Sequence, residues 1–378
     1  MIYFDNNATT PIAPEVFEAM KPFLNANFGN PSSAHNVGRA VCAAIENARE
    51  SAAELLGAAN TNEIVFTSGG TESNNWAIRG ALESQPEKKH IVTTRVEHEA
   101  VRKLCEKLER QDFSVTWLDV NESGELDLDD LKRALKPETA VVSIMLANNE
   151  TGVIFPVADA AEIVKANSDA LFHTDAVNAA GKMLIDVKAT NIDLLSISGH
   201  KFYAPKGIGA LYIRDGLNLS SSLIGGGQEG GRRAGTEAVH QIAGIGAAAD
   251  LVKNLSKMDN IHELRNRIEN EILNKIPNSR LNGGSKRLPN TSNISFENTN
   301  GEMIMHRLDE IGVCVSTGSA CNEADHQASG VLEAMNVPYS QAMGSIRFSL
   351  GRYNTDEEVE FVLAKLPKIV ENLQSLAA

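Results

Sequence analysis

Leu194-Leu-Ser-Ile-Ser-Gly-His-Lys-Phe-Tyr-Ala-Pro-Lys-Gly-Ile-Gly-Ala-Leu-Tyr-Ile213 decides the fold. It reads as an apolar strand, Leu194–Ser198, then a break of small and polar residues, then a second apolar strand, Ala210–Ile213. Lys201 follows directly on the first strand. In α/β proteins, ligands bind in the crevice outside the carboxyl ends of the strands. A partly buried lysine there, among other cations, has a lowered pKa and can form a Schiff base. Lys206 is the competing amine. It lies beyond Pro205 in a glycine-rich turn and reads as structural.

Outward from this stretch, short β-rich runs recur at Ile64–Phe66, Ile91–Thr94, Val115–Leu118, Val141–Leu146 and Leu171–Thr174. Between them, Arg39–Leu56, Glu99–Glu109 and Val157–Ala166 carry apolar residues at helical spacing, and Gly57 supplies a C-terminal stop for the first. Alternating strands and helices predict an α/β protein with a mostly parallel sheet covered by helices. A long Ala-rich helix is expected over Glu237–Leu255, and the pattern changes after it. Strands near Thr291–Phe296, Val313–Ser316 and Ser345–Ser349, with helices near Glu302–Ile311 and Asp356–Leu373, predict a smaller α+β unit. The expected division is a large domain over 13–257 and a small one made of 1–12 and 258–378. No internal repeat or low-complexity segment is seen, and Gly225–Gly235 is a loop rich in Gly and Arg.

The 378 residues are 42% hydrophobic and 22% charged, ordinary globular composition. No run of 18 apolar residues suggests a membrane span. The start, Met-Ile-Tyr-Phe-Asp-Asn-Asn-Ala-Thr-Thr-Pro, does not read as a secretory signal. A net charge of −14 argues against an extensive nucleic-acid-binding surface. The four cysteines, Cys42, Cys105, Cys314 and Cys321, form no CxxC pair and no zinc spacing, so no metal site is expected, and their sparse use suits a reduced, cytoplasmic setting. The first three sit among apolar residues and are expected in the core. Cys321 lies in Ser316-Thr-Gly-Ser-Ala-Cys-Asn-Glu-Ala-Asp-His-Gln-Ala-Ser-Gly330, a polar run without periodicity that predicts an exposed loop.

Three further segments end strands with polar residues. Phe66-Thr-Ser-Gly-Gly-Thr-Glu-Ser73 is a strand-to-helix turn whose backbone N–H groups can cradle an anion, or simply a tight turn. Phe172-His-Thr-Asp-Ala-Val-Asn178 places Asp175 at the end of an apolar strand, as a crevice carboxylate or a helix cap. Glu97-His-Glu-Ala-Val101 places His98 just after another strand, in a crevice or at an exposed helix start.

The phosphate turn, Asp175 and Lys201, in that order and spacing, resemble fold-type I pyridoxal phosphate (PLP) enzymes of the class V aminotransferase group. Tyr3-Phe-Asp-Asn-Asn-Ala-Thr-Thr10, Phe28-Gly-Asn-Pro-Ser-Ser-Ala-His35 with Gly38-Arg39, Asn148-Asn-Glu150, Arg232-Arg-Ala-Gly-Thr236, Ser316–Cys321 and Ser345-Ile-Arg-Phe-Ser-Leu350 resemble cysteine desulfurases of the NifS/IscS type, over about residues 3–370. The resemblance implies an aspartate aminotransferase-like fold and the cofactor pyridoxal 5'-phosphate. By the same resemblance, Lys201 tethers the cofactor, Asp175 pairs with its pyridine nitrogen, and Gly70, Thr71, Ser198 and His200 contact its phosphate. Thr236 would reach the phosphate of a neighbouring subunit, which implies a homodimer. His98 would stack on the ring and serve as acid or base, and Asn149 would lie near the phenolic oxygen and the substrate. Asn178 stands where many relatives have Gln. Arg347 would hold the substrate carboxylate. L-cysteine would give L-alanine and a persulfide on Cys321, passed to acceptor proteins for iron–sulfur cluster assembly, tRNA thiolation or DNA phosphorothioation.

After Cys321 the sequence departs from the family pattern. Asn322–Ser329 places Glu323 and Asp325 near the thiol, and carboxylates disfavour a thiolate. The chain also stops soon after its expected last helix. Both features imply a specialised sulfur donor. Selenocysteine lyase and other class V aminotransferases share Lys201 and Asp175 and stand as alternatives, as does a PLP-fold scaffold that has lost catalysis.

Overall fold

A computed structural model describes residues 1–284, 286–317 and 328–377. Cys321 and the acidic residues after it lie outside the described residues. Among those described, seven strands form one sheet in the order Ile64–Thr67, Gly209–Ile213, Leu194–Ser198, Leu171–Asp175, Thr139–Ser143, His90–Thr94, Ser114–Leu118. Only Gly209–Ile213 runs against its neighbours, returning from Leu194–Ser198 through the Lys201 turn. Consecutive residues feed opposite faces. Phe66, Val92, Val142, Leu195 and Tyr212 join one apolar cluster, and Val65, Ile91, Val141, Leu194 and Leu211 join another. A sheet buried on both faces explains why its strands read as continuous apolar runs.

Helices Gly70–Ser84 and Glu99–Glu109 cover the second face. Helices Asn36–Leu56, Val157–Asn167 and Val239–Val252 contribute to the first cluster. Small residues let two of these approach closely: a Cβ on Gly246 would stand 2.6 Å from Ala48 Cα. The Ala-rich helix is therefore set by packing, and it spans Val239–Val252 rather than 237–255. The helix Ser256–Lys275 follows it, where the sequence marked only a change of pattern. Its inward Ile261, Leu264, Ile268 and Ile272 do hold helical spacing, but charged residues dilute the signal. The Val141–Leu146 run is a strand only over Thr139–Ser143, although Leu146 N still bonds Asp175 O at 2.9 Å.

A separate apolar cluster joins Phe4 to residues between Ile261 and Leu373. Its antiparallel sheet is Ser345–Ser349, Thr291–Phe296, Ser279–Asn282. The first strand, Ile2–Tyr3, pairs in parallel with Val313–Cys314. Among the described residues no helix is long and apolar enough to cross a membrane.

The cysteine expectation needs correction. Cys105 is buried, Cys314 is intermediate and Cys42 is exposed. On the helix Asn36–Leu56, Val41 and Ile45 turn inward at i, i+4, and Cys42 falls one step off that stripe.

Candidate active site

Five sheet strands deliver polar groups from their carboxyl ends to one cavity of about 710 Å³. After Ile64–Thr67 comes the helix Gly70–Ser84, whose first turn has no side-chain cap. Its free N–H groups and the helix dipole suit an anion. Only glycine fits at its start, since a Cβ on Gly70 would lie 2.6 Å from Val177 Cγ2.

Asp175 is the last residue of Leu171–Asp175 and is 5% exposed. Asn74 Nδ2 donates to its Oδ2 at 2.6 Å and Val177 N to its Oδ1 at 2.9 Å. Lys201 stands at the end of the turn after Leu194–Ser198, and its Nζ donates to Asn7 O at 2.5 Å and Ala8 O at 3.0 Å. Lys206 is exposed and lies outside the cavity lining. His200 Nδ1 lies 3.1 Å from Thr9 Oγ1, and burial, then the charge of Lys201, pushes its pKa down to about 4.

His98 caps the helix Glu99–Glu109, its Nδ1 accepting from Ala100 N at 3.1 Å. That bond puts the ring proton of neutral His98 on Nε2. Burial, the largest influence, lowers its pKa; Asp175 opposes this and Lys201 adds to it. Asn148 Oδ1 accepts from the N–H groups of Glu150 and Thr151, both at 2.9 Å, and so fixes the turn that presents Asn149. Arg347, central in Ser345–Ser349, is 4% exposed. Its Nη2 donates to Asp5 Oδ1 at 2.7 Å and its Nη1 to Asn149 O at 3.1 Å. Its Nε is buried without a partner among the described residues.

Gly70, Thr71, His98, Asn149, Asp175, Asn178, Ser198, His200, Lys201 and Arg347 therefore line one cavity. Thr236 does not; it is exposed on the loop before Val239–Val252. The donor set suits a flat, anionic cofactor. Asn74 Oδ1 and Asn178 Oδ1 are buried and unpartnered among the described residues, the uncapped helix start awaits an anion, and an amine and a carboxylate come from neighbouring strands. These features fit pyridoxal phosphate.

Several residues here escaped the sequence reading. Glu150 is buried, its pKa pushed up to about 7 by desolvation, and Ser329 Oγ donates to it. Ser329 also caps the helix Gly330–Ala334. Glu97 is buried beside Asp175; Thr94 Oγ1 and Met145 N donate to its Oε1 at 2.8 and 2.9 Å. Burial, against those bonds, raises its pKa to about 8. A carboxyl with a raised folded pKa binds its proton more tightly when folded, so its stabilising contribution is complete below the unfolded value and is lost as pH rises through about 8. Glu97→Gln is expected to flatten the decline in stability between about pH 5 and pH 9 by on the order of 2 kcal/mol. Urea denaturation of both proteins across that range checks this, and parallel stability curves would contradict it.

The model of the family Aminotransferase class-V matches residues 2–362. A cysteine desulfurase of Trichormus azollae is 50% identical over 382 residues, covering 100% of this chain and 94% of that one. A solved NifS-like protein superposes with a TM-score of 0.92 at 37% identity, covering 98% of this chain and all of that one (100%). A structure described as SspA in complex with cysteine has a TM-score of 0.84 at 38% identity, covering 94% of this chain and 100% of its own. The chain belongs to the class-V aminotransferase family, whose members depend on pyridoxal phosphate, and within it to the cysteine desulfurases of the NifS/IscS type.

Proposed function

We propose that this cavity removes sulfur from L-cysteine, leaving a persulfide on Cys321 and releasing L-alanine. The observation that carries the reading is the convergence of Lys201, Asp175, His98 and Arg347 on one cavity from four strands and turns. The neighbour bound to cysteine supports the substrate. The cavity lies between what we take as two domains, 13–257 and 258–378 with 1–12.

When bound, pyridoxal phosphate supplies a covalent anchor for an amine and a protonated pyridine that withdraws electrons. Gly70, Thr71, Ser198 and His200 would hold its phosphate, with Thr236 contributed by a second subunit of a homodimer. Asp175 would hold the proton on the pyridine nitrogen. Asn149 and Asn178 would flank the phenolic oxygen. Arg347, which lines the cavity, would clamp the substrate carboxylate. Freed Lys201 would take the α-proton. The thiolate of Cys321 would attack the substrate sulfur: an S–S bond forms, the C–S bond breaks, and its electron pair stays on the carbon that becomes the alanine methyl group. His98 Nε2 would carry protons to and from these atoms. The released sulfur would pass to an acceptor protein.

Incubation of the purified holo-protein with L-cysteine and a reductant tests the reading. Equal amounts of alanine and sulfide are expected. Keto acid in place of alanine would point to transamination instead.

A further inference from the structure

Lys182 lies behind the cavity and yet is joined to it. It stands in the turn that follows Asp175, Val177 and Asn178, and is 8% exposed. Its Nζ donates to Asn7 Oδ1 at 3.2 Å, while Lys201 Nζ donates to the backbone O of the same residue at 2.5 Å. One asparagine thus receives a hydrogen bond from each of two amines. The Asn7 side chain is fixed by three further bonds: its Nδ2 donates to Thr291 Oγ1 at 2.8 Å and Asn149 O at 3.1 Å, and Asn290 Nδ2 donates to its Oδ1 at 3.0 Å.

Among the described residues no carboxylate pairs with Lys182. Asp5 is engaged by Arg347, and Asp175 by Asn74 and the Val177 N–H. The charged groups that act on Lys182 are Lys201 on its turn and Arg347 on Ser345–Ser349, both positive. His200 lies near enough to have its own protonation disfavoured by Lys182. Burial first, then those two cations, push the Lys182 pKa down to about 7. Such coupling is mutual, so a charge on Lys182 disfavours a proton on Lys201 as strongly as the reverse.

We propose that Lys182 is a positioning residue for Lys201, a buried second amine tied to it through Asn7 whose charge keeps the Lys201 amine in its unprotonated form. This rests on Lys201 being the attachment point of the cofactor. Tethered, Lys201 competes less for positive charge, which favours a proton on Lys182 against the cost of burial. Released, the Lys201 amine meets that charge and keeps the lone pair with which it accepts a proton.

A pH titration of the visible absorbance of the holo-protein tests the idea in Lys182→Met, Lys182→Gln and Lys182→Arg. Loss of the charge in the Met and Gln variants is expected to raise the midpoint by roughly one pH unit. Lys182→Arg, which keeps it, should hold the wild-type midpoint. The pH dependence of Lys201 labelling by an amine-reactive reagent in the apo-protein, mapped by mass spectrometry, gives the same shift without bound cofactor. If the Met variant does not fold, the Gln and Arg midpoints decide. Unshifted midpoints in the charge-removing variants would overturn the proposal while leaving the site intact. Covalently bound cofactor in Lys201→Ala would instead overturn the reading of the site on which it rests.

Discussion

Lys201→Ala is expected to lower alanine formation from L-cysteine by at least about a thousandfold. The expectation follows from placement. Lys201 is the amine that the turn after Leu194–Ser198 points into the cavity, held there by the carbonyls of Asn7 and Ala8. Its neighbour Lys206 is exposed on the far side of Pro205 and lies outside the cavity lining. Removing Lys201 takes away both the covalent anchor and the base for the α-proton, and among the described lining residues there is no second lysine to assume those roles. Borohydride reduction followed by peptide mapping checks the anchor, and a product assay checks the rate. The variant should fold, because the change leaves two backbone carbonyls facing a cavity open to water.

Asp175→Asn should be the second most damaging single change, with a loss of roughly 10²–10³-fold in turnover. The carboxylate of Asp175 is buried at the end of its strand and receives hydrogen bonds from Asn74 Nδ2 and Val177 N. Such an anion can keep a facing pyridine nitrogen protonated. The amide cannot, and its NH2 would face the Asn74 donor. The predicted pattern is a large fall in kcat with a small change in KM, because the interaction strengthens as charge develops during reaction. Comparable losses in kcat and affinity for cysteine would contradict that role.

Much of the arrangement could be read from local pattern. Asp175 and Ser198 each end an apolar strand, Lys201 follows one within a few residues, and His98 does so after one short loop. Alternating apolar runs gave the sheet, because strands buried on both faces carry an unmistakable composition. What escaped the sequence reading depends on contacts between distant residues. Asn7 meets Thr291 and Lys201, hundreds of positions away, and nothing local marks it as a hub. Glu97 and Glu150 look like surface carboxylates in sequence, and become buried only once strands, loops and the helix capped by Ser329 close over them. Nothing in the local sequence marks Lys182 as buried either. The family resemblance implied Arg347 as a carboxylate clamp, but its bond to Asp5 needs the N-terminal segment to lie alongside Ser345–Ser349. Cys42 failed in the opposite direction: apolar neighbours suggested burial, and one step around the helix put it in solvent.

Persulfide mapping tests the central claim most directly. The holo-protein is treated with L-cysteine, its thiols are alkylated without reduction, and its peptides are weighed. One additional sulfur atom on the peptide bearing Cys321, absent from Lys201→Ala and from Cys321→Ala, is the predicted result. Additional sulfur confined to Cys42 or Cys314, or alanine formed at the full rate by Cys321→Ala, would contradict the account.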